Sequence, residues 1–123
     1  MLDGSVSAEL VSKRFLVRVL HVVTPQRVHE VIYDGHGLGY ESIYLDGDLA
    51  VRRSGWRGRM SQVYEFQLDA TRRAKLSVAL PVLGEFLLFF DLNYTCLEID
   101  GAVVYQEGQE PRRKLQVTSD TDL

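Results

Sequence analysis

The stretch "VIYDGHGLGYESIYLDGD", residues 31–48, decides how the chain is read. It sets two Asp-Gly pairs and a histidine between short apolar runs, so it is either a site or a set of turns between strands. A two-residue hairpin turn needs positive φ at its centre, which Asp and Gly tolerate best. "IYLDGDLAV" and, further on, "LEIDGAVVY" both place the pair between strand-like runs, which predicts hairpins at Asp46-Gly47 and Asp100-Gly101. Asp34-Gly35 instead opens a longer Gly-rich loop, because Tyr33 and Tyr40 are too far apart for a tight turn. The G-x-G-x-G at 35, 37 and 39 lacks the following helix that a dinucleotide-binding loop requires, since "YESIYLDG" has strand composition.

Working outward, apolar residues recur in short segments punctuated by Gly, Pro and Asp, the signature of strands. The segments are about 14–23, 27–33, 40–46, 49–53, 62–68, 74–80, 85–91, 94–99 and 102–106. In "AKLSVAL" Leu76, Val78 and Leu80 face one way and Lys75, Ser77 and Ala79 the other; in "NYTCLEID" Thr95, Leu97 and Ile99 alternate with Cys96, Glu98 and Asp100. One buried and one solvated face is what two packed antiparallel sheets require. The expected fold is all-β, an antiparallel β-sandwich of about eight short strands joined by hairpins. Residues 1–13 read as a lead, disordered or a short helix; 14–107 as the single domain; 108–123 as a polar tail or weak edge strand.

The 123 residues suffice for one domain with its own core. With 14 basic and 17 acidic residues the net charge is -3, so no overall basic field draws the chain to nucleic acid or to an anionic membrane. One cysteine, Cys96, excludes an internal disulfide framework. With no basic n-region or long apolar start, the expected setting is cytoplasmic.

His29, Asp34 and His36 are the candidate metal ligands, although three scattered histidines lack tight ligand spacing. Arg52, Arg53, Arg57 and Arg59 surround Trp56, an arrangement that could contact phosphates or bases as single-strand binders do. A solvated charge cluster beside a core tryptophan is the plainer account. In "GEFLLFFDL" the run Phe86, Leu87, Leu88, Phe89 and Phe90 leaves neither face of a strand polar, which predicts a covering segment or an interface. No nucleophile elbow is present, and no catalytic residue or cofactor is expected.

"RVHEVIYDGHGLGYESIYLDGD", "VRRSGW" and "YTCLEIDGAVVY", in this order over about 80 residues, resemble one β-sandwich unit of the Fas apoptotic inhibitory molecule (FAIM) family. That family carries two such units in tandem; here there is room for one, and "CLEIDG" has a residue more than the family hairpin. The resemblance implies a non-enzymatic antiparallel sandwich with Val28, Ile32, Ile43, Leu45, Val51, Trp56, Leu76, Val78, Leu97 and Ile99 in its core. Fold does not carry function, so the family's survival signalling is not implied. The resulting expectation is a binding or scaffolding module with a protein partner or a second copy. The alternatives are a metal or small-ligand protein built on the Gly-rich loop around His36, and single-strand binding through the Arg/Trp cluster.

Overall fold

A computed structural model describes residues 5–35, 40–54, 61–79, 91–109 and 117–118. These residues are all β, and no helix occurs among them, so none there is long and apolar enough to cross a membrane. The strands are β1 (Ser7–Arg14), β2 (Val17–Val23), β3 (Val28–Asp34), β4 (Tyr40–Leu45), β5 (Asp48–Ser54), β6 (Ser61–Gln67), β7 (Arg73–Ala79), β8 (Tyr94–Ile99), β9 (Ala102–Gly108) and the two-residue β10 (Val117–Thr118). One sheet runs β1-β2-β3-β4-β5 and the other β10-β6-β7-β8-β9. Every pairing is antiparallel except β10, which lies parallel to β6 at Val63 and Tyr64. Among the described residues nine strands pair antiparallel, close to the expected sandwich of about eight.

One core fills the space between the sheets. Leu20, Val22, Val31, Tyr33, Ile43 and Val51 come from the first sheet, and Tyr64, Phe66, Leu76, Val78, Leu97 and Ile99 from the second. At the sides β1 lies against β9 and β5 against β6, without closing a barrel.

Both Asp-Gly hairpins form as the turn chemistry demands. Asp46 and Gly47 have φ of 52° and 90°, Asp100 and Gly101 of 50° and 86°, so each pair supplies the two positive angles. A third tight hairpin joins β1 to β2 through Phe15 and Leu16, with no Gly or Asp at all. Leu16 takes φ of 59°, which is costly for a side chain with a Cβ. Its N–H donates to Asp91 Oδ1 (2.7 Å) and its carbonyl accepts from Gly35 N–H (2.8 Å). Tertiary bonds thus impose a turn that local sequence does not encode. The expected lead becomes a strand for this reason, and the expected segment 14–23 divides at this turn.

Two further expectations are corrected. In β3 the inward residues are His29, Val31 and Tyr33, so Val28 is exposed and Ile32 half-buried, the reverse of the expected core phase. In β7, Ser77 and Ala79 are buried along with Leu76 and Val78. On the outer face of that sheet Ala79, Tyr94 and Cys96 form a second buried cluster, so this face is not uniformly wet. The expected strand 85–91, apart from Asp91, lies outside the described residues.

Each edge strand carries an interruption. Val11 in β1, Ala50 in β5 and Val104 in β9 are extra residues where the register shifts against the neighbour, and β10 caps the free side of β6. Bulges of this kind twist an edge out of register for pairing with another chain.

Gly108 gives the sharpest backbone constraint. At φ of 78° an added Cβ would lie 2.0 Å from the Asn93 carbonyl oxygen, whereas at Gly47 nothing lies within 4 Å. Gly108→Ala should therefore cost roughly 2 to 4 kcal/mol in urea unfolding and Gly47→Ala only about 1 kcal/mol, from backbone strain alone.

Candidate functional site

The inward face of each sheet changes from apolar to polar toward the end where the β1–β2 hairpin lies and where β3 finishes at Asp34. Register places Gln62, Val78, Thr95 and Glu107 in one row of the second sheet. Opposite them the first sheet presents Arg18 beside Tyr33, and one step further Glu41 beside Arg53. Two charged groups are taken fully inside this layer.

Arg18 is 1% exposed. It shares the inward phase of Leu20 and Val22, so the strand that buries them buries its guanidinium. Its Nε and Nη2 donate to Glu107 Oε1 and Oε2, both at 3.0 Å, and Nη2 also reaches Asp91 Oδ2 at 3.1 Å. Nη1 donates to the carbonyls of Arg14 and Val17. The planar fork of arginine can serve two carboxylates and the backbone at once, which a lysine could not do. Burial alone would lower the Arg18 pKa, but Glu107 and Asp91 outweigh it and hold the group charged. Burial likewise pushes Asp91 and Glu107 upward; donors from the Leu16 backbone and Arg18 to Asp91, and from Arg18 and Lys13 to Glu107, bring both below the ordinary carboxylate values. Tyr105 donates to Glu107 Oε1 at 3.0 Å, and its own pKa is raised to about 12 by burial and by that carboxylate.

Glu41 is the inverse arrangement, a buried anion among donors. It too is 1% exposed. Oε1 accepts from Tyr33 Oη (2.7 Å) and from Tyr64 Oη, and Oε2 from Gln62 Nε2 (3.2 Å). Tyr33 and Glu41 belong to the first sheet, Tyr64 and Gln62 to the second, so this cluster ties β3 and β4 to β6. Burial raises the Glu41 pKa, against the pull of the tyrosines, Gln62 and the Arg53 charge. Tyr33 is raised well above its usual value by burial and by Glu41.

The expected metal ligands do not converge. His29 faces the core while Asp34 projects from the other face of β3, and His36 lies outside the described residues. His29 Nδ1 donates instead to Asp46 Oδ2 at 2.7 Å, and Asp46 Oδ1 accepts the Glu30 N–H at 2.8 Å. Asp46 is desolvated, yet these bonds and Arg27 lower its pKa. His29 Nε2 is buried with no hydrogen-bond partner among the described residues, so no hydroxyl or thiol sits within reach of it as a nucleophile would. Among those residues no group of three His, Cys, Asp or Glu is placed to hold a metal.

Arg52 and Arg53 point to opposite faces of β5. Arg52 stacks 4.4 Å over the Tyr40 ring and donates to Ser42 Oγ on the outer face, and Arg53 lies toward Glu41. They do not make one basic patch. Arg57, Arg59, Trp56, Phe86, Leu87, Leu88 and Phe89 lie outside the described residues. No family model, curated protein or solved structure matches the chain.

Sequence pattern reading missed Arg18, Glu41, Asp91 and Glu107. The usable signal was a charge in the apolar phase of a strand: Arg18 with Leu20 and Val22, Glu41 with Ile43.

Removing Arg18 leaves two carboxylates facing each other in the layer. Arg18→Met should cost about 3 kcal/mol by urea denaturation, while Lys13→Ala, a half-exposed partner of Glu107, should cost under about 1 kcal/mol. The lowered pKa values of Asp46, Asp91 and Glu107 mean that the unfolded chain binds more protons below their ordinary values of 3.8 and 4.5. Their stabilisation is therefore present above that range and is lost as pH falls through it. Melting temperature should drop on acidification below about pH 4.5, with a shallower slope in Arg18→Met.

Proposed function

We propose that the chain is a non-enzymatic β-sandwich binding module acting through protein–protein contacts on the outer face of its first sheet. The observation that carries this is the apolar surface there. Val23 and Val28, paired across β2 and β3, are 42% and 51% exposed, and Leu49 on β5 is 41% exposed. Val19, Ile32 and Tyr44 form a half-buried cross-strand row that ends at Leu49, and the half-buried pair His21 and Glu30 separates this row from Val23 and Val28. A four-strand apolar row and an exposed valine pair on one face are more than the single scattered hydrophobics usual at a surface. Tyr40 under Arg52 extends it with the residue types that anchor interfaces.

The remaining chemistry supports a binding role over catalysis. Glu41 and Arg18 are enclosed and bonded by internal partners, and among the described residues the His29–Asp46 pair has no nucleophile. The bulged edges favour contact by the face over addition of a strand. The module reading, with a protein partner or second copy, accords with the motifs that resemble a FAIM-family unit, and a cytoplasmic setting is the default for a chain with one cysteine.

A photo-crosslinking residue placed at Val28 should yield adducts in the native cell that the same residue at Lys75, on the outer face of the second sheet, does not. Adducts of twice the chain mass would identify the partner as another copy. Ile32→Glu should remove the adducts while leaving the melting temperature within a few degrees, as expected for a half-exposed site. Identical labelling from both faces would contradict the proposal.

A further inference from the structure

We propose that Glu41 takes up a proton inside the folded domain and that the Gln62 side-chain amide turns over to accommodate it. The geometry offers a donor and an acceptor at one place. In the charged state Gln62 Nε2 donates to Glu41 Oε2 at 3.2 Å, and Gln62 Oε1 is buried with no hydrogen-bond partner among the described residues. Rotation of the amide by half a turn exchanges the two atoms. Oε1 then stands where Nε2 stood, at hydrogen-bonding distance from Oε2, and that contact is favourable only when Oε2 carries a hydrogen. A proton from solvent forms an O–H bond at Oε2, and that O–H donates a hydrogen bond to the amide oxygen; no other covalent bond forms or breaks.

The tyrosine bonds survive the change, although they favour the charged form. Tyr33 and Tyr64 both donate to Oε1, which accepts as a carboxylate and, more weakly, as the carbonyl of a carboxylic acid. The cluster therefore loses no hydrogen bond to Glu41 when it is neutralised, unlike a carboxylate whose bonds all require charge. The groups facing it are Tyr33 from β3, Arg53 from β5, and Tyr64 and Gln62 from β6. Arg18, the neighbour of Tyr33 on β2, is engaged by Asp91 and Glu107, and Asp34 acts on Tyr33 from β3. Arg53 is the favourable charge that protonation would leave without its attraction to Glu41. Burial raises the Glu41 pKa in spite of it.

The sign follows. The folded chain holds a proton that the unfolded chain has released, so this group's contribution to stability falls as pH rises from the ordinary glutamate value through the raised one. That is opposite to the effect of Asp91 and Glu107, and it makes the tie between β4 and β6 a pH-sensitive element.

The test is an NMR titration of the Glu41 side-chain carboxyl carbon and the Gln62 side-chain amide in one sample, from about pH 4 to about pH 8. Glu41 should titrate above the midpoint it shows in urea-unfolded protein, the Gln62 amide should shift with the same midpoint, and the backbone spectrum should remain folded on both sides. Tyr64→Phe, which removes a donor to the carboxylate, should raise the midpoint further, and Glu41→Gln should abolish the Gln62 titration. The proposal is overturned if Glu41 titrates at or below its unfolded midpoint. It is equally overturned if the Gln62 amide is insensitive to pH while Glu41 titrates, or still titrates in Glu41→Gln. Should Tyr64→Phe fail to fold, the unmodified protein decides alone.

Discussion

A guanidinium held inside the core is the interaction on which the rest of the structure depends. Arg18 joins β2 to β9 through Glu107 and to the start of β8 through Asp91. Asp91 in turn accepts the Leu16 N–H, and that bond holds the left-handed residue of the β1–β2 hairpin. One buried ion group therefore governs the spacing of the sheets, the turn and the strand that the turn delivers. Taking a charge out of water costs several kcal/mol unless each of its donors is satisfied, which here they are, by two carboxylates and two backbone carbonyls.

Glu41 repeats this logic with opposite sign on the other side of the same layer. The two ties differ in what they tolerate. Arg18 cannot lose its charge, so its partners must keep theirs, and acid weakens it. Glu41 is bonded by neutral donors, so its cluster persists with or without the proton. The end of the domain that carries both is also the end where β3, β5 and β7 finish. Those strand ends are positioned by internal electrostatics as much as by apolar packing.

The legible part of the fold was the part that chemistry confines to neighbouring residues. Asp46-Gly47 and Asp100-Gly101 announce their hairpins because few other residue pairs accept two positive φ angles. Phe15-Leu16 announces nothing, since its conformation is imposed by Asp91, 75 residues away. The phase of β3 was misread for a related reason. Val28 and Ile32 compete on hydrophobicity with Val31 and Tyr33, and the outcome is decided by polar bonds of the inward set, His29 to Asp46 and Tyr33 to Glu41. The candidate ligands His29 and Asp34 are close in sequence but lie on opposite faces of one strand. The polar groups that do meet, Arg18 with Glu107 and Glu41 with Gln62, come from different sheets, and a linear pattern does not reveal that they share a layer.

Site-resolved amide hydrogen exchange of Arg18→Met against the unmodified protein tests the central role of this ion group most directly. The account predicts a selective loss of protection in β1, β2 and β9, the strands that depend on Arg18 and Asp91, with β6 and β7 still protected. Uniform loss across both sheets, or protection in β1 and β9 equal to the parent, would contradict it.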